Sequence, residues 1–282
     1  MTRSTPYPDL GIAWTPMPGM LLAVYATVSS TQLVAVCQRV RDNSGRLVSL
    51  WGEDVRATDA GGFVLCVVLE TADQVLVVEH AMTVEALFYP DLGAIFPSAA
   101  RLQRATHDLV GLRALGGDGR PWLRHAAWPA DAFPLRAGPA DPAIATAPAE
   151  PYRFVRVEGD GVHEIAVGPV HAGTIEPGHF RFSVVGEKVL RLEGRLGYVH
   201  KGIEKRFEGM DLIEGNRLAA RVSGDSTVAF AWAYAMAAEA LTNTCVPQRA
   251  LWLRALLLER ERIANHLGDL GALGNDAGLA FG

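Results

Sequence analysis

The chain's 282 residues, 49% hydrophobic and 20% charged, suffice for two modest domains that each bury a core, which excludes a disordered tail. A formal net charge of −5, a pI near 5.9 and the lack of any local Lys/Arg run exclude nucleic acid as a partner. Cys37, Cys66 and Cys245 are isolated, with no Cys-x-x-Cys spacing, so the sequence offers neither a disulfide framework nor a structural zinc or iron–sulfur site, and this usage fits a reducing cytoplasm.

The opening stretch MTRSTPYPDLGIAWTPMPGM has one Arg and is broken by prolines and glycines, which argues against a signal peptide. From about Met20 to Trp128, β-rich runs (LLAVYATV, GRLVSLWGEDV, GFVLCVVLE, QVLVVEHAM) alternate with helical ones, the pattern of a small α/β or α+β domain. The segment RAGPADPAIATAPAEP lacks apolar periodicity and reads as a linker, giving a first domain over residues 1–135, a linker over 136–152 and a second domain over 153–282. The second domain starts with HEIAVGPV and HFRFSVVGEKVLRLEGR, a hairpin with one buried face turning at Gly186-Glu187. Helical patterns follow in IEKRFEGMDLIEGNRLAARV, in STVAFAWAYAMAAEAL and from Pro247 to Leu270, with Pro247 suited to the first helical turn. The uncharged stretch Ser226 to Ala238 is too short to span a bilayer, which takes about 20 apolar residues. The expected fold class is α+β: an N-terminal α/β domain, then a small antiparallel β-sheet followed by a helical bundle.

Three constellations carry candidate chemistry. In RVSGDST, the triplet Gly224-Asp225-Ser226 matches some serine hydrolases, but Thr227-Val228-Ala229-Phe230 runs straight into an apolar helix and no Gly-x-Ser-x-Gly frames it. Capping of that helix by Asp225 or Ser226 is the simpler reading. Glu259, Arg262 and His266 share one face of the last helix, either as a helix-stabilising pair or as part of a buried polar network. In GPVHAGTIEPGHFRF, His171, Glu176 and His179 lie close together, two imidazoles and a carboxylate able to exchange protons near neutral pH.

Four blocks, GPVHAGTIEPGHFRF, RLGYVHKGIEKRFEGM, RVSGDSTVAFAWAYAMAAEAL and VPQRALWLRALLLERERIANHLGDLGALGNDAG, resemble in order and spacing the large subunit of group 4 membrane-bound nickel–iron hydrogenases, formate-hydrogenlyase type. That subunit is itself similar to the 49-kilodalton quinone-side subunit of complex I, an NADH:quinone oxidoreductase. The first domain resembles the end of the 30-kilodalton subunit of complex I through Asp108, Leu109, Gly111, Pro134, Leu135 and Arg136, while Gln103, Ala105, Val110 and Phe133 depart from its pattern. The resemblance implies that Ser223 and Ser226 stand where active hydrogenases hold two nickel-ligating cysteines. A hydroxyl, hard and protonated at neutral pH, is a poor nickel ligand, so no metal and no nickel–iron centre is expected in this chain. His171 corresponds to a histidine that approaches the quinone headgroup in complex I, and Glu176 to a glutamate that passes protons in hydrogenases. His179 completes that loop, and Arg221, Glu259, Arg262 and His266 correspond to a charge network of the helical core. The implied role is a subunit without its own nickel–iron site that seats a small iron–sulfur subunit. It would couple electron transfer to protonation, with a quinone as candidate acceptor and membrane-arm subunits as further partners, held peripherally on the cytoplasmic side of the inner membrane. Competing readings are an assembly-only paralogue and, less well matched, an active hydrogenase subunit.

Overall fold

A computed structural model of the chain describes residues 5–17, 22–124, 128–129, 131–138, 152–170 and 177–279. Two compact units divide at Glu150/Pro151; residues 139–151 of the expected linker lie outside the described residues.

The first unit is built on a five-stranded sheet in the order β1-β2-β5-β4-β3, from Thr15–Pro16 (β1), Ala23–Thr27 (β2), Arg46–Asp54 (β3), Phe63–Glu70 (β4) and Val75–Met82 (β5). β2 pairs with β5 in parallel and the other neighbours are antiparallel. That parallel pair demands a crossover, and its chain carries helix α1 (Ser30–Asp42). Ser29 and Gln32 form a reciprocal capping box at the start of α1, satisfying two otherwise orphaned N–H groups. A register shift between Leu47 and Ser49 lets both Leu47 and Leu50 face inward, while Val48 at the irregularity stays exposed. α1 contributes Leu33, Val36, Cys37 and Val40, and α2 (Ala99–Val110) contributes Ala99 and Val110, to one continuous core with Leu65, Val67, Leu69, Leu76 and Val78.

A two-stranded parallel pair, β6 (Phe88–Pro90) with β7 (Arg113–Leu115), flanks α2. The residues that resemble the 30-kilodalton subunit act here as a staple. Buried Asp108 accepts backbone N–H bonds from Trp122 (2.7 Å), Leu123 (2.7 Å) and Arg124 (3.2 Å). Leu135 N–H donates to the Leu109 carbonyl at 3.0 Å, and Arg136 Nε to the Val110 carbonyl at 2.8 Å. Gly111 ends α2 at φ +89°, and a Cβ there would strike Arg136 and the Phe133 ring, so the position takes glycine for two separate reasons.

The second unit opens with an antiparallel sheet in the order β10-β9-β8, from Val162–Val170 (β8), Gly178–Val185 (β9) and Lys188–Arg195 (β10). The β9–β10 turn is Gly186-Glu187, with Gly186 at φ +56°. Four helices follow: α3 (Ile203–Phe207), α4 (Leu212–Ala219), α5 (Thr227–Leu241) and α6 (Gln248–Asp276). The helical stretch from residue 203 to 222 is therefore two helices, broken at Gly209 (φ +77°) and restarted by Asp211, whose carboxylate caps Ile213 N and Glu214 N at 2.8 Å. Pro247 sits one residue outside the last helix, as its N-cap, and that helix continues past Leu270 to Asp276. The α+β order of an N-terminal sheet-and-helix domain, an antiparallel sheet and C-terminal helices is the one expected.

Candidate functional site

His171 and Glu176 lie outside the described residues, so of that constellation only His179 is placed. It stands near the start of β9, opposite Arg195 of β10. Its Nδ1 lies 3.0 Å from the Gly168 carbonyl near the end of β8. A carbonyl can only accept, so Nδ1 carries the proton in this contact. Nε2 is buried and has no hydrogen-bond partner among the described residues. The Phe154 ring lies 5.2 Å from the imidazole, and the Arg181 guanidinium sits 4.4 Å above that same ring while bonding Glu164 at 2.9 Å. One side of the small sheet thus carries a His179–Phe154–Arg181–Glu164 row. The sequence pattern singled out His179 alone, because the contacts come from cross-strand register and from a segment before β8.

The RVSGDST stretch forms a single turn of 3-10 helix, Gly224–Ser226, leading into α5. Ser226 occupies the N-cap position but its hydroxyl caps nothing. Capping is supplied from α6: Glu261 accepts from Val228 N at 2.5 Å and from Ala229 N at 3.1 Å, taking the helix's early N–H groups and placing negative charge at its positive end. Four residues further along α6, Asn265 donates to the Asp225 carbonyl. Thr227 Oγ1 donates to the Gly224 carbonyl at 3.2 Å, and Lys201 Nζ donates to the carbonyls of Arg221 and Val222 at 3.2 and 3.1 Å. Expecting Asp225 or Ser226 to cap the helix is therefore corrected: a remote carboxylate does so. Sequence spacing pointed at Glu259, whereas the working pair is Glu261 and Asn265, an i,i+4 pair in the same ERERIANH run.

Glu259 and Arg262 bond each other at 3.1 Å with side chains 60% and 54% exposed, and His266 and Arg221 are exposed as well. Of the two alternatives for this stripe, the described residues form the helix-stabilising pair and no buried network. Besides the Glu261 cap, the side-chain ion pair between the long helices joins Glu239 of α5 to both terminal nitrogens of Arg254 of α6. That guanidinium, first by hydrogen bonding, holds the Glu239 carboxyl below its ordinary range.

Among the described residues no group of three or more His, Cys, Asp or Glu side chains converges to hold a metal ion. Cys37 and Cys66 are buried, and burial pushes the Cys37 thiol up to about 12, so it is not poised as a thiolate ligand. Cys245 is exposed. The two serine positions offer hydroxyls, and the turn's carbonyls at Gly224 and Asp225 already accept protein hydrogen bonds, so this donor set does not fit a thiolate-bound nickel. No helix among the described residues is long and apolar enough to cross a membrane.

Comparison with known proteins places these features in context. The family described as respiratory-chain NADH dehydrogenase, 30 Kd subunit, matches residues 26–139. The chain is 38% identical over 189 residues to formate hydrogenlyase subunit 5 of Escherichia coli K12, covering 65% of this chain and 33% of that protein. It is 34% identical over 236 residues to hydrogenase-4 component G of the same organism, covering 81% of this chain and 42% of that protein. Over 114 residues it is 40% identical to an NADH-quinone oxidoreductase subunit of Dehalococcoides mccartyi, 40% of this chain and 30% of that protein. The chain thus spans less than half the length of these relatives.

Proposed function

We propose that the chain is a subunit of a membrane-bound respiratory oxidoreductase related both to hydrogenases and to complex I. The observation that carries this reading is a similarity to hydrogenase-4 component G that runs through 81% of the chain, together with the 30 Kd match over residues 26–139. One polypeptide thus joins a 30-kilodalton-like unit to a unit resembling a hydrogenase large subunit.

The finer reading is a coupling subunit without its own nickel–iron centre. Hydroxyls at Ser223 and Ser226 and the occupied carbonyls of their turn support it, since the turn is held by Glu261, Asn265 and Lys201 as a structural joint. Electrons would reach the assembly through a cluster in a small iron–sulfur partner subunit, the described residues of this chain offering no convergent ligands for one. His171 and Glu176 supply the residue types for hydrogen-bonding a quinone carbonyl and for moving a proton. α5 has no buried residue, and Trp252, Leu256, Leu267 and Leu270 of α6 are each more than half exposed. A helix apolar on every side, as α5 is, is covered in the working protein, and the exposed apolar side chains of α6 add to that surface, which supports seating among partner subunits; a peripheral position on the cytoplasmic face of the membrane is part of the same proposal.

The test is to co-express the full-length gene with its neighbouring iron–sulfur subunit, purify the complex, and measure nickel, iron, hydrogen uptake and quinone reduction. Iron without nickel, no hydrogen uptake, and quinone turnover lost in His171→Ala are expected. Stoichiometric nickel with hydrogen turnover would overturn the metal-free reading, and unchanged turnover in His171→Ala would leave an assembly-only subunit.

A further inference from the structure

The sheet of the first unit is apolar on both faces, and its described helices serve only one. β4 reads Phe-Val-Leu-Cys-Val-Val-Leu, seven apolar residues in succession, the pattern of a strand buried on both sides rather than the alternation of a half-solvated one. Leu47, Leu50, Leu65, Val67, Leu76 and Val78 turn inward to the core shared with α1 and α2. Strand register assembles the opposite face into rows: Ser49–Val68–Val77–Tyr25, then Trp51–Cys66–Glu79–Thr27, then Glu53–Val64–Ala81. None of these residues belongs to the core cluster; Val64, Val68, Val77 and Tyr25 are partly exposed and Trp51 is 39% exposed.

Two carboxylates interrupt this apolar face, on either side of Cys66. Glu53 accepts the Trp51 indole N–H at 2.7 Å and lies 3.5 Å from the Cys66 sulfur, and Glu79 is the cross-strand neighbour of Cys66. Burial, reinforced by these two carboxylates, raises the Cys66 thiol well above its ordinary range, so no thiolate adds to the charge. Neither glutamate enters an ion pair among the described residues; the face's cation, Arg46, is engaged by Glu70 at its edge. Apolar surface of this kind is stabilised by coverage, and covering an unpaired carboxylate without a counter-charge is costly.

We infer that this face docks a protein partner presenting apolar side chains around a lysine or arginine, the cation seated between Glu53 and Glu79 over Cys66. The same charges disfavour other occupants. A second copy of the face would bring four carboxylates together, and an anionic lipid surface or nucleic acid would be repelled.

The experiment places the photo-crosslinking residue p-benzoylphenylalanine at Val68 in the full chain, purifies the assembled complex from its native host, irradiates it, and sequences the crosslinked peptides by mass spectrometry. The expected product is a peptide of another polypeptide with Lys or Arg among apolar residues. A crosslink to this chain or a second copy, a lipid adduct, or no adduct overturns the inference. In parallel, the double variant Glu53→Lys, Glu79→Lys is expected to recover at least tenfold less with the complex while the isolated chain keeps its circular dichroism and thermal midpoint. Undiminished recovery of a folded variant overturns the inference as well.

Discussion

Asp108 shows how much of the first unit hangs on one side chain. Its carboxylate is 1% exposed and holds residues 122–124 against α2 through three backbone N–H groups, with Arg124 3.3 Å away. Burial pushes its pKa up, but the neighbouring His107 imidazole, 3.7 Å away, and the three backbone donors outweigh burial and bring it down to about 2, against an ordinary 3.8. A carboxylate with a depressed folded pKa contributes its stability above the unfolded value and loses it as pH falls through the folded one. The contribution, about 2 kcal/mol, is thus complete above about pH 4 and disappears between pH 4 and pH 2. Asp108→Asn is expected to lower stability at pH 7 and to flatten that acid limb, which urea titrations at pH 7, 4 and 3 would read. Parallel acid limbs in the two proteins would show that Asp108 is not the titrating group. Asp108 was legible in the sequence as part of a pattern with Leu109, Gly111, Leu135 and Arg136; its task was not, because its donors lie 14 to 16 residues away in an irregular segment with no periodicity of its own.

Elements followed from sequence wherever the deciding signal is local. The β9–β10 hairpin was readable because Gly186 supplies the left-handed residue of a two-residue turn between alternating strands. The break between α3 and α4 does not show in the apolar spacing, which runs straight through Gly209 and Asp211, although those two residues mark it. α5 was readable as a helix, but its cap was not: Ser226 stands in the right place, and the acceptor that serves Val228 and Ala229 is Glu261, 33 and 32 residues later. Glu261→Ala should then cost about 1–2 kcal/mol, the worth of a lost N-cap, and should loosen the turn at Ser223 and Ser226. Hydrogen exchange at Val228 and Ala229 is expected to speed up in this variant, with far less change in Glu259→Ala, whose pair with Arg262 is exposed and screened by solvent. Equal acceleration in both variants would mean that Glu261 acts through helix α6 as a whole and not as a cap.

The two units are unequal as folding units. Among the described residues, the first gathers 24 buried residues from both helices, the main sheet strands and their connections into one core cluster, whereas in the second the buried hydrophobic side chains are Val184 and Ala219, with Leu241, Trp252, Ile263, Leu267 and Leu270 each more than half exposed. Burial of apolar surface is the main stabilising term in folding, so the first unit holds enough of it to fold alone and the second takes most of its share from whatever covers its helices. Unfolding of the isolated chain is then not a single two-state event. Limited proteolysis of the chain without partners should release a resistant fragment ending between residues 138 and 152, and residues 1–150 expressed alone should melt cooperatively at the temperature of the later transition of the full chain. The earlier transition should move upward on co-purification with partner subunits, because partners that bind only the folded helices add their binding free energy to its stability. One cooperative transition that partners leave unmoved would show instead that the helices of the second unit are stable as they stand, and the argument that their apolar faces are built for other subunits would fail with it.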